Sequence, residues 1–200
     1  MKDNISLDGA TLKSKGVGVI ATKKLMLQET IKFIIAGVMT LAVISTITFY
    51  VIPKYICVFD VIKGKSMEKT LQEDDYVLVE KISNKVNGIK RGSVIAFHNK
   101  NTGEHSGIVK RVIAIEGDTI ECKDNKVYLN GKELIEDYVH GTTTDFKKTK
   151  IEAGEVYVLG DNRNKSIDSR RFGNVKISNV DGICRLRVYP IEMMGVIKWM

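Results

Sequence analysis

The sequence predicts a mainly β fold, with an antiparallel β-sheet domain behind a single N-terminal transmembrane helix. Three observations lead to this prediction. One uncharged apolar run lies near the N-terminus, from Phe33 to Ile52. Downstream come short runs rich in Val, Ile and Tyr, several of them bounded by Gly, Asn or Asp. Helical periodicity is scarce after the apolar run, and Pro53 and Pro190 are the only prolines, so the middle of the chain is free to form strand ladders.

The apolar run determines the predicted domain organisation. As an α-helix its twenty residues would span about 30 Å, the hydrocarbon thickness of a bilayer, which is long for a buried core helix. A cleaved signal peptide, the alternative, would have a shorter apolar core and a small-x-small cleavage site, but bulky residues follow here. We therefore predict a weakly structured cytoplasmic tail (residues 1–30), a transmembrane anchor (31–52) and an extracytoplasmic domain (53–200).

The charges that flank the apolar run predict its orientation. Residues 1–32 carry six lysines and three acidic residues, whereas the ten residues after Ile52 contain a single basic residue, Lys54. The positive-inside rule therefore places the N-terminus in the cytoplasm and exports the remainder. The formal net charge is +7, and the basic residues are scattered among acidic ones. Basic and aromatic residues do not alternate as they do in surfaces that stack nucleic-acid bases. We therefore expect a solvated surface near anionic lipid and no nucleic-acid partner.

Seven short runs are predicted to be strands: Tyr76–Glu80, Ser93–Phe97, Ile108–Ile115, Thr119–Cys122, Val127–Leu129, Glu155–Leu159 and Cys184–Tyr189. Asn130-Gly131 after the fifth run predicts a two-residue hairpin turn. The polar stretch 141–150 predicts an exposed loop.

The cysteines predict neither a metal site nor another cofactor. Cys57, Cys122 and Cys184 lie far apart, and none has CxxC spacing or a histidine at ligand spacing. Two of the three could pair in an exported domain, which the sequence leaves open. The default interpretation is that they are small buried hydrophobic residues.

Ser66 is the candidate nucleophile, since it follows the apolar run closely and lies between Gly64 and a charged turn. A hydroxyl is a weak nucleophile unless a base takes its proton. The three histidines, His98, His105 and His140, have no neighbouring motif that indicates a catalytic triad. His98 and His105 are better interpreted as exposed loop residues.

Lys110 is the stronger candidate base. Period-two alternation in the run 108–115 puts Lys110 on one face and Arg111 on the other, each among apolar residues. Burial disfavours the ammonium form and can lower a lysine pKa from about 10.4 towards neutrality. A neutral Lys110 beside Ser66 could act as general base and then as general acid. The alternative is an edge-strand lysine whose amine reaches water.

A polar segment after the sixth predicted strand contains the remaining candidates. Asp161–Arg163 and Asp168–Arg170 could form ion pairs that fix a loop. Ser166 could hydrogen-bond a buried ammonium and orient it, as the third group does in a catalytic triad. Taken alone, such a segment is more often a solvated turn.

Together these segments resemble bacterial type I signal peptidase, or leader peptidase, the membrane-anchored serine–lysine protease of secretion. The resemblance covers most of residues 31–197, in order. Four motifs carry it: Gly64-x-Ser66-Met67-x-x-Thr70-Leu71; Asp75-Tyr76-Val77-Leu78-Val79; Lys110-Arg111-Val112 with Gly117-Asp118; and Gly160-Asp161-Asn162-Arg163 with Ser166-x-Asp168-Ser169-Arg170. Lysine rather than histidine at the base position indicates the lysine-type branch instead of the endoplasmic-reticulum type.

The resemblance implies a function and residue roles. Its substrates would be secreted preproteins cut after small residues at −1 and −3, of the Ala-x-Ala type, with the lipid bilayer and the secretion translocon nearby and no cofactor. It also implies a mostly β fold whose apolar surface meets the membrane. Ser66 would be the nucleophile and Lys110 the general base. The lysine-orienting serine would be Ser166, and the supporting residues would be Asp161, Arg163, Asp168 and Arg170.

Two departures from the family pattern affect the site. Lys69 stands where the family usually has a proline that stiffens the chain. Gly64 stands where some members carry a serine whose hydroxyl helps hold the oxyanion. We therefore expect backbone groups of Ser66, with Gly64 as the candidate second position, to hold the oxyanion.

Two alternatives stay open at this level. One is a non-catalytic, membrane-anchored β-rich module that binds exported chains, which Lys69 favours and the retained Ser66, Lys110 and Ser166 oppose. The other is a self-cleaving serine–lysine repressor-type protease. That class would need a DNA-binding domain, and it would have no use for an exporting anchor.

Overall fold

The computed structural model describes residues 8–83, 88–99 and 107–198, with side chains described from Lys23 onward in these ranges. The chain divides into two compact units, Met1–Val51 and Ile52–Met200. Helix α1 covers Asp8–Thr46. The expected weak structure of the tail is therefore wrong from residue 8, because the stretch lacks proline and propagating an existing helix costs little.

The apolar run lies in a helical segment long enough to cross a membrane. α1 is followed directly by the π-helical segment Ile47–Ile56, which contains Pro53. The candidate span is Lys23–Ile56, with a mean hydropathy of 2.1 and none of its most apolar window buried. The single N-terminal apolar helix of the prediction is confirmed as a candidate membrane span.

The second unit is built from two antiparallel sheets. The described residues contain the strands β1 Cys57–Val61, β2 Tyr76–Glu80, β3 Val94–Phe97, β4 Ile108–Ile115, β5 Thr119–Lys123, β6 Lys126–Leu129, β7 Lys132–Glu133, β8 Phe146–Lys150, β9 Glu155–Leu159, β10 Val175–Lys176, β11 Val180–Tyr189 and β12 Gly195–Val196. The large sheet has the order β1-β2-β11-β3-β4-β9-β10, with β12 paired to β11, and the small sheet has the order β7-β6-β5-β8. A short helix, α2, covers Ser169–Phe172. The predicted mainly antiparallel β fold is confirmed.

The predicted strands all appear, three of them (β2, β4 and β9) with the predicted bounds. β11 is longer than predicted and starts at Val180. Asn130 and Gly131 have φ of 53° and 80°, as a type I′ hairpin turn requires. The loop predicted at 141–150 is wrong in its second half, where β8 pairs with β5. Phe146 stacks on Tyr157 with ring centroids 5.3 Å apart, so this basic edge strand is fixed by its first residue.

Buried apolar residues form three clusters around the strands. Strand β4 contacts all of them, the second only through the partly buried Val109. A register shift after Val112 places Ile113 and Ala114 together in the third cluster, against the small sheet. The predicted alternation therefore holds only as far as Val112. Cys122 and Cys184 are buried in two of these clusters, and all three cysteines are free thiols.

Candidate active site

Ser66 and Lys110 meet in one groove. Lys110 lies on β4, an interior strand of the large sheet, and is only 5% exposed. Its Nζ donates to Ser66 Oγ at 2.7 Å and to the Val109 carbonyl at 3.0 Å. Because β4 is flanked by β3 and β9, the interpretation of Lys110 as an edge-strand lysine is wrong. A buried amine in contact with a serine hydroxyl is an arrangement suited to nucleophilic catalysis.

The turn that carries Ser66 is anchored in the core. Met67 and Leu71 are 1% and 0% exposed and pack in the cluster beneath the turn. The N–H groups of Thr70 and Leu71 both donate to the Met67 carbonyl, at 3.0 and 2.8 Å. Ser66 itself is half-buried at the groove. The hydrophobic residues after the nucleophile therefore hold its backbone in place.

A second segment packs directly against this turn. The Asn162 N–H donates to the Ser66 carbonyl at 2.9 Å. A Cβ on Gly160 would lie 2.6 Å from the same carbonyl and 2.2 Å from Ser166 Oγ, distances that no side chain tolerates. Glycine is thus required at position 160 because two backbone segments approach each other there. Its place in the fourth motif was the only sequence signal.

Ser166 is beside the site, but it does not make the predicted hydrogen bond. Within the described residues its buried Oγ has no hydrogen-bond partner. The Ser166 side chain instead packs against Gly160, at the point where the two backbone segments approach each other. The orienting role of Ser166 stays a prediction.

The predicted Asp161–Arg163 ion pair is wrong, although both side chains are buried. Asp161 accepts two hydrogen bonds from Arg111, Nε to Oδ1 at 2.9 Å and Nη2 to Oδ2 at 2.7 Å. Arg163 donates to both carboxylate oxygens of Glu136, at 2.6 and 3.0 Å. The two residues therefore bind opposite neighbours, one on β4 and one in the segment before β8. No local sequence pattern singles out Glu136.

The predicted Asp168–Arg170 pair is confirmed. Arg170 donates from Nε and Nη2 to the two Asp168 oxygens at 2.7 and 2.8 Å. Burial alone would lower the pKa of Arg170, but the Asp168 carboxylate outweighs it and the pKa is raised. Asp168 also accepts the Gly160 N–H at 3.0 Å, and Arg170 donates to the Arg163 carbonyl at 2.8 Å. This pair therefore fixes the segment that abuts the nucleophile.

Thr70 connects the nucleophile turn to the buried ion pair. Its hydroxyl donates to Asp161, and Arg111 Nη2 reaches the same hydroxyl at 3.4 Å. The Arg111 guanidinium also stacks over the Tyr138 ring at 4.1 Å from its centroid. The strand that carries Lys110 thus also positions the turn that carries Ser66.

The two departures from the family pattern have structural counterparts. Lys69 has φ of 89°, in the left-handed region, and its Nζ donates to the Asp137 carbonyl. Proline, whose φ is fixed near −65°, cannot adopt this backbone. Gly64 has φ of 76°, and its N–H donates to Glu73 Oε1 at 3.3 Å. The oxyanion role of the Ser66 and Gly64 backbone stays a prediction.

The two histidines that the structure describes, His98 and His140, make contacts away from the groove at Ser66. His98 Nδ1 contacts Asp181 Oδ2 at 2.5 Å, with both side chains partly exposed. The backbone of His140 pairs with Asn162. His105 lies outside the described residues. Neither described histidine lines the groove at Ser66.

The comparisons with known proteins agree on one family. Residues 28–189 match the family described as "Signal peptidase, peptidase S26". The chain is 34% identical over 168 residues to signal peptidase I of Bacillus caldolyticus, covering 76% of this chain and 88% of that protein. It is 35% identical over 181 residues to signal peptidase IB of Staphylococcus aureus strain COL, covering 80% and 92%. A crystal structure of a signal peptidase I from Enterococcus faecalis V583 matches with a TM-score of 0.43 and 33% identity, covering 48% of this chain and 95% of that one.

Proposed function

This chain belongs to the peptidase S26 family of signal peptidases, and from that premise we propose that Ser66 is its nucleophile and Lys110 its general base. The family consists of serine endopeptidases that remove signal peptides from preproteins, and that is the activity of this chain. The observation that carries the assignment is the 2.7 Å contact between Lys110 Nζ and Ser66 Oγ in a groove of about 520 Å³.

The proposed reaction uses one proton carrier. In this reaction Lys110 acts in its neutral form, whose lone pair accepts the Ser66 proton as Oγ attacks the scissile carbonyl. The resulting ammonium protonates the leaving amine, which departs as the N-terminus of the mature protein. Lys110 is then neutral again, takes a proton from a water that attacks the acyl-enzyme, and returns it to Ser66 Oγ. Each step transfers one proton, and the complete cycle of acylation and hydrolysis leaves both residues as they began.

The shape of the groove supports an extended substrate. The end of β1 and the start of β4 line it, through residues such as Val61 and Ile108, together with Ser66 and Lys110. A preprotein segment would add to these strand ends through main-chain hydrogen bonds. Small residues at −1 and −3 would face the wall, and the Ser66 N–H would hold the oxyanion.

The remaining predicted residues are proposed to position the catalytic pair. Asp161 links Thr70 to Arg111, so its loss would release the nucleophile turn. Arg163, Asp168 and Arg170 hold the segment whose Asn162 N–H binds the Ser66 carbonyl, through the contacts given above. Ser166, packed against Gly160, is proposed to orient the ammonium once substrate closes the groove.

We further propose the arrangement at the membrane. The family is membrane-anchored, and the helix Lys23–Ile56 is a candidate span. The lysine-rich residues 1–30 would lie in the cytoplasm, residues 31–52 would anchor the chain in the bilayer, and the peptidase domain 53–200 would lie outside, near the secretion translocon. Protease added to spheroplasts should degrade the 53–200 domain, whereas protection of that domain would reverse the orientation.

One experiment separates the peptidase from a non-catalytic binding module. Detergent-solubilised full-length chain is incubated with a preprotein that has an Ala-x-Ala site, and the product is sequenced from its N-terminus. We expect cleavage after that site, abolished in both Ser66→Ala and Lys110→Ala while circular dichroism shows both variants folded. Binding of the preprotein without cleavage by the wild-type chain would favour the binding module.

A further inference from the structure

The groove that holds Ser66 is strongly cationic. In the described part of the chain no carboxylate lines it, although Asp60 is close by, with Oδ2 3.5 Å from where a Cβ on Gly107 would be. Besides Lys110, four cations line it: Lys63, Lys65, Lys165 and Arg171. Two of them flank Gly64 beside the nucleophile, and two come from the segment after Asn162. Positive charge therefore comes from both of these segments.

These four cations are only partly neutralised. Lys63 pairs with Asp74 at 3.3 Å, with both side chains exposed, and Lys165 Nζ lies 3.8 Å from Glu68. Among the described residues, Lys65 and Arg171 make no ion pair, and both are exposed. Exposed pairs of this kind contribute little and exchange readily for another carboxylate.

We propose that this cationic groove selects preproteins with an acidic residue beside the cleavage site and disfavours those with a basic one. The inference rests on the proposed function, since it assigns the peptide to this groove. It names a peptide carboxylate rather than an anionic lipid, because the cations share the cavity with Ser66 and Lys110. Small residues at −1 and −3 would satisfy the catalytic geometry, and the flanking charge would rank substrates that share them.

The expected effect is moderate and depends on salt. Each cation close to a substrate carboxylate should change kcat/KM by about 1.5- to 5-fold, as exposed ion pairs do. Glutamate and lysine at one position should differ by about the square of that factor, since one is attracted and the other repelled. The difference should shrink as the screening length falls from about 30 Å at 0.01 M salt to about 8 Å at 0.15 M.

The test uses the full-length chain in nonionic detergent with a peptide series built on one Ala-x-Ala site. Glutamate, glutamine or lysine is placed in turn at each position flanking −1 and −3, and kcat/KM is measured at low and high salt. Lys165→Glu and Arg171→Glu should reverse the preference at the positions that show it. Lys176→Glu on β10, exposed and outside the groove, is the matched control and should leave it unchanged.

The possible outcomes distinguish failure of the proposed peptidase function from failure of the proposed charge selection. Failure to cleave the glutamine peptides would overturn the proposed function itself. Cleavage of glutamate, glutamine and lysine peptides at equal rates in every position would overturn only the charge selection. If Arg171→Glu and Lys165→Glu weakened binding to phosphatidylglycerol vesicles while the peptide preference stayed the same, the cations would serve a lipid surface and the inference would be wrong.

Discussion

Lys110 and Arg111 are adjacent on β4, and both are buried, at 5% and 1% exposed, yet they meet different surroundings. Arg111 forms a double hydrogen bond with the equally buried Asp161. Lys110 Nζ meets the Ser66 hydroxyl and the Val109 carbonyl. Consecutive residues on a strand point to opposite faces, so one strand presents the two cations to two environments.

Arg111 is suited to stabilise the fold, whereas Lys110 is suited to react. A guanidinium stays protonated, so it needs a permanent counter-charge when buried, and Asp161 supplies it. A buried ammonium beside a hydroxyl can lose its proton instead. The two residues also cooperate, because Asp161 binds Thr70 in the turn that presents Ser66 to Lys110.

The largest effects are expected when each cation is replaced by methionine, because the two substitutions should change different properties of the protein. Lys110→Met should lose about 10²–10⁴-fold in kcat with little loss of stability, since a buried amine is replaced by an apolar side chain of similar length. Arg111→Met should lose about 3–5 kcal/mol in the free energy of unfolding, because Asp161 is left buried and uncompensated. Urea unfolding and peptide cleavage are measured on both variants. Equal stability losses in the two would contradict the distinction.

Gly160→Ala should separate positioning from folding. The new methyl would collide with the Ser66 carbonyl and the Ser166 side chain, and a shift of the nucleophile by about 1 Å can cost about 10²-fold in rate. Overpacking should add about 1–3 kcal/mol of destabilisation. Gly195→Ala is the control, because nothing lies within 4 Å of its Cβ position. Full activity in Gly160→Ala would mean that the two segments do not meet as described.

Substitutions at Lys69 test the backbone conformation of the nucleophile turn. Lys69→Pro, although it restores the usual family residue, should lose more than about 1 kcal/mol of stability, because proline cannot adopt a φ of 89°. Lys69→Gly relieves the left-handed backbone while losing the bond to the Asp137 carbonyl, so its melting temperature should stay closer to that of the wild type. A Lys69→Pro variant as stable as the wild type would show that the turn has another conformation.

The smallest expected effect concerns the ion pair Arg91–Asp118, in which Arg91 is exposed and Asp118 is buried. Burial alone would raise the pKa of Asp118, but the hydrogen bonds from Arg91, the Ile115 N–H and Asn130 outweigh it and lower the pKa. A lowered folded-state pKa stabilises the fold above the unfolded value of about 3.9, and that contribution is lost as the pH falls through the folded pKa.

Asp118→Asn should therefore cost about 1 kcal/mol at neutral pH, as a partly exposed pair does. The difference from the wild type should shrink when unfolding is measured in acid. A difference that stayed constant with pH would assign the cost to packing rather than to charge.

The catalytic pair could be predicted from the sequence because its signals are local. Ser66 and Lys110 each lie in a short motif, and the alternation of β4 already placed Lys110 away from Arg111. Strand bounds were predictable for the same reason, since Val- and Ile-rich runs such as Glu155–Leu159 form strands by their own side chains.

The partners of the buried charges could not be predicted. The sequence predicts an ion pair between Asp161 and its near neighbour Arg163, but in the fold Arg111, fifty residues away, binds Asp161. Glu136 lies in a segment with no pattern, and only the packing of residues 136–143 against Arg163 gives it a role. Such contacts depend on which strands become neighbours, which periodicity does not encode.

The most direct measurement is the mass of the acyl-enzyme. An Ala-x-Ala ester substrate is mixed with wild-type, Lys110→Arg and Ser66→Ala chains, quenched in acid and digested. We expect an acyl group on the Ser66 peptide of the wild type and none in either variant. Arginine at position 110 keeps its proton and cannot act as a base, and alanine at position 66 has no nucleophilic oxygen. An acyl group on another residue, or wild-type acylation rates in Lys110→Arg, would contradict the serine–lysine assignment.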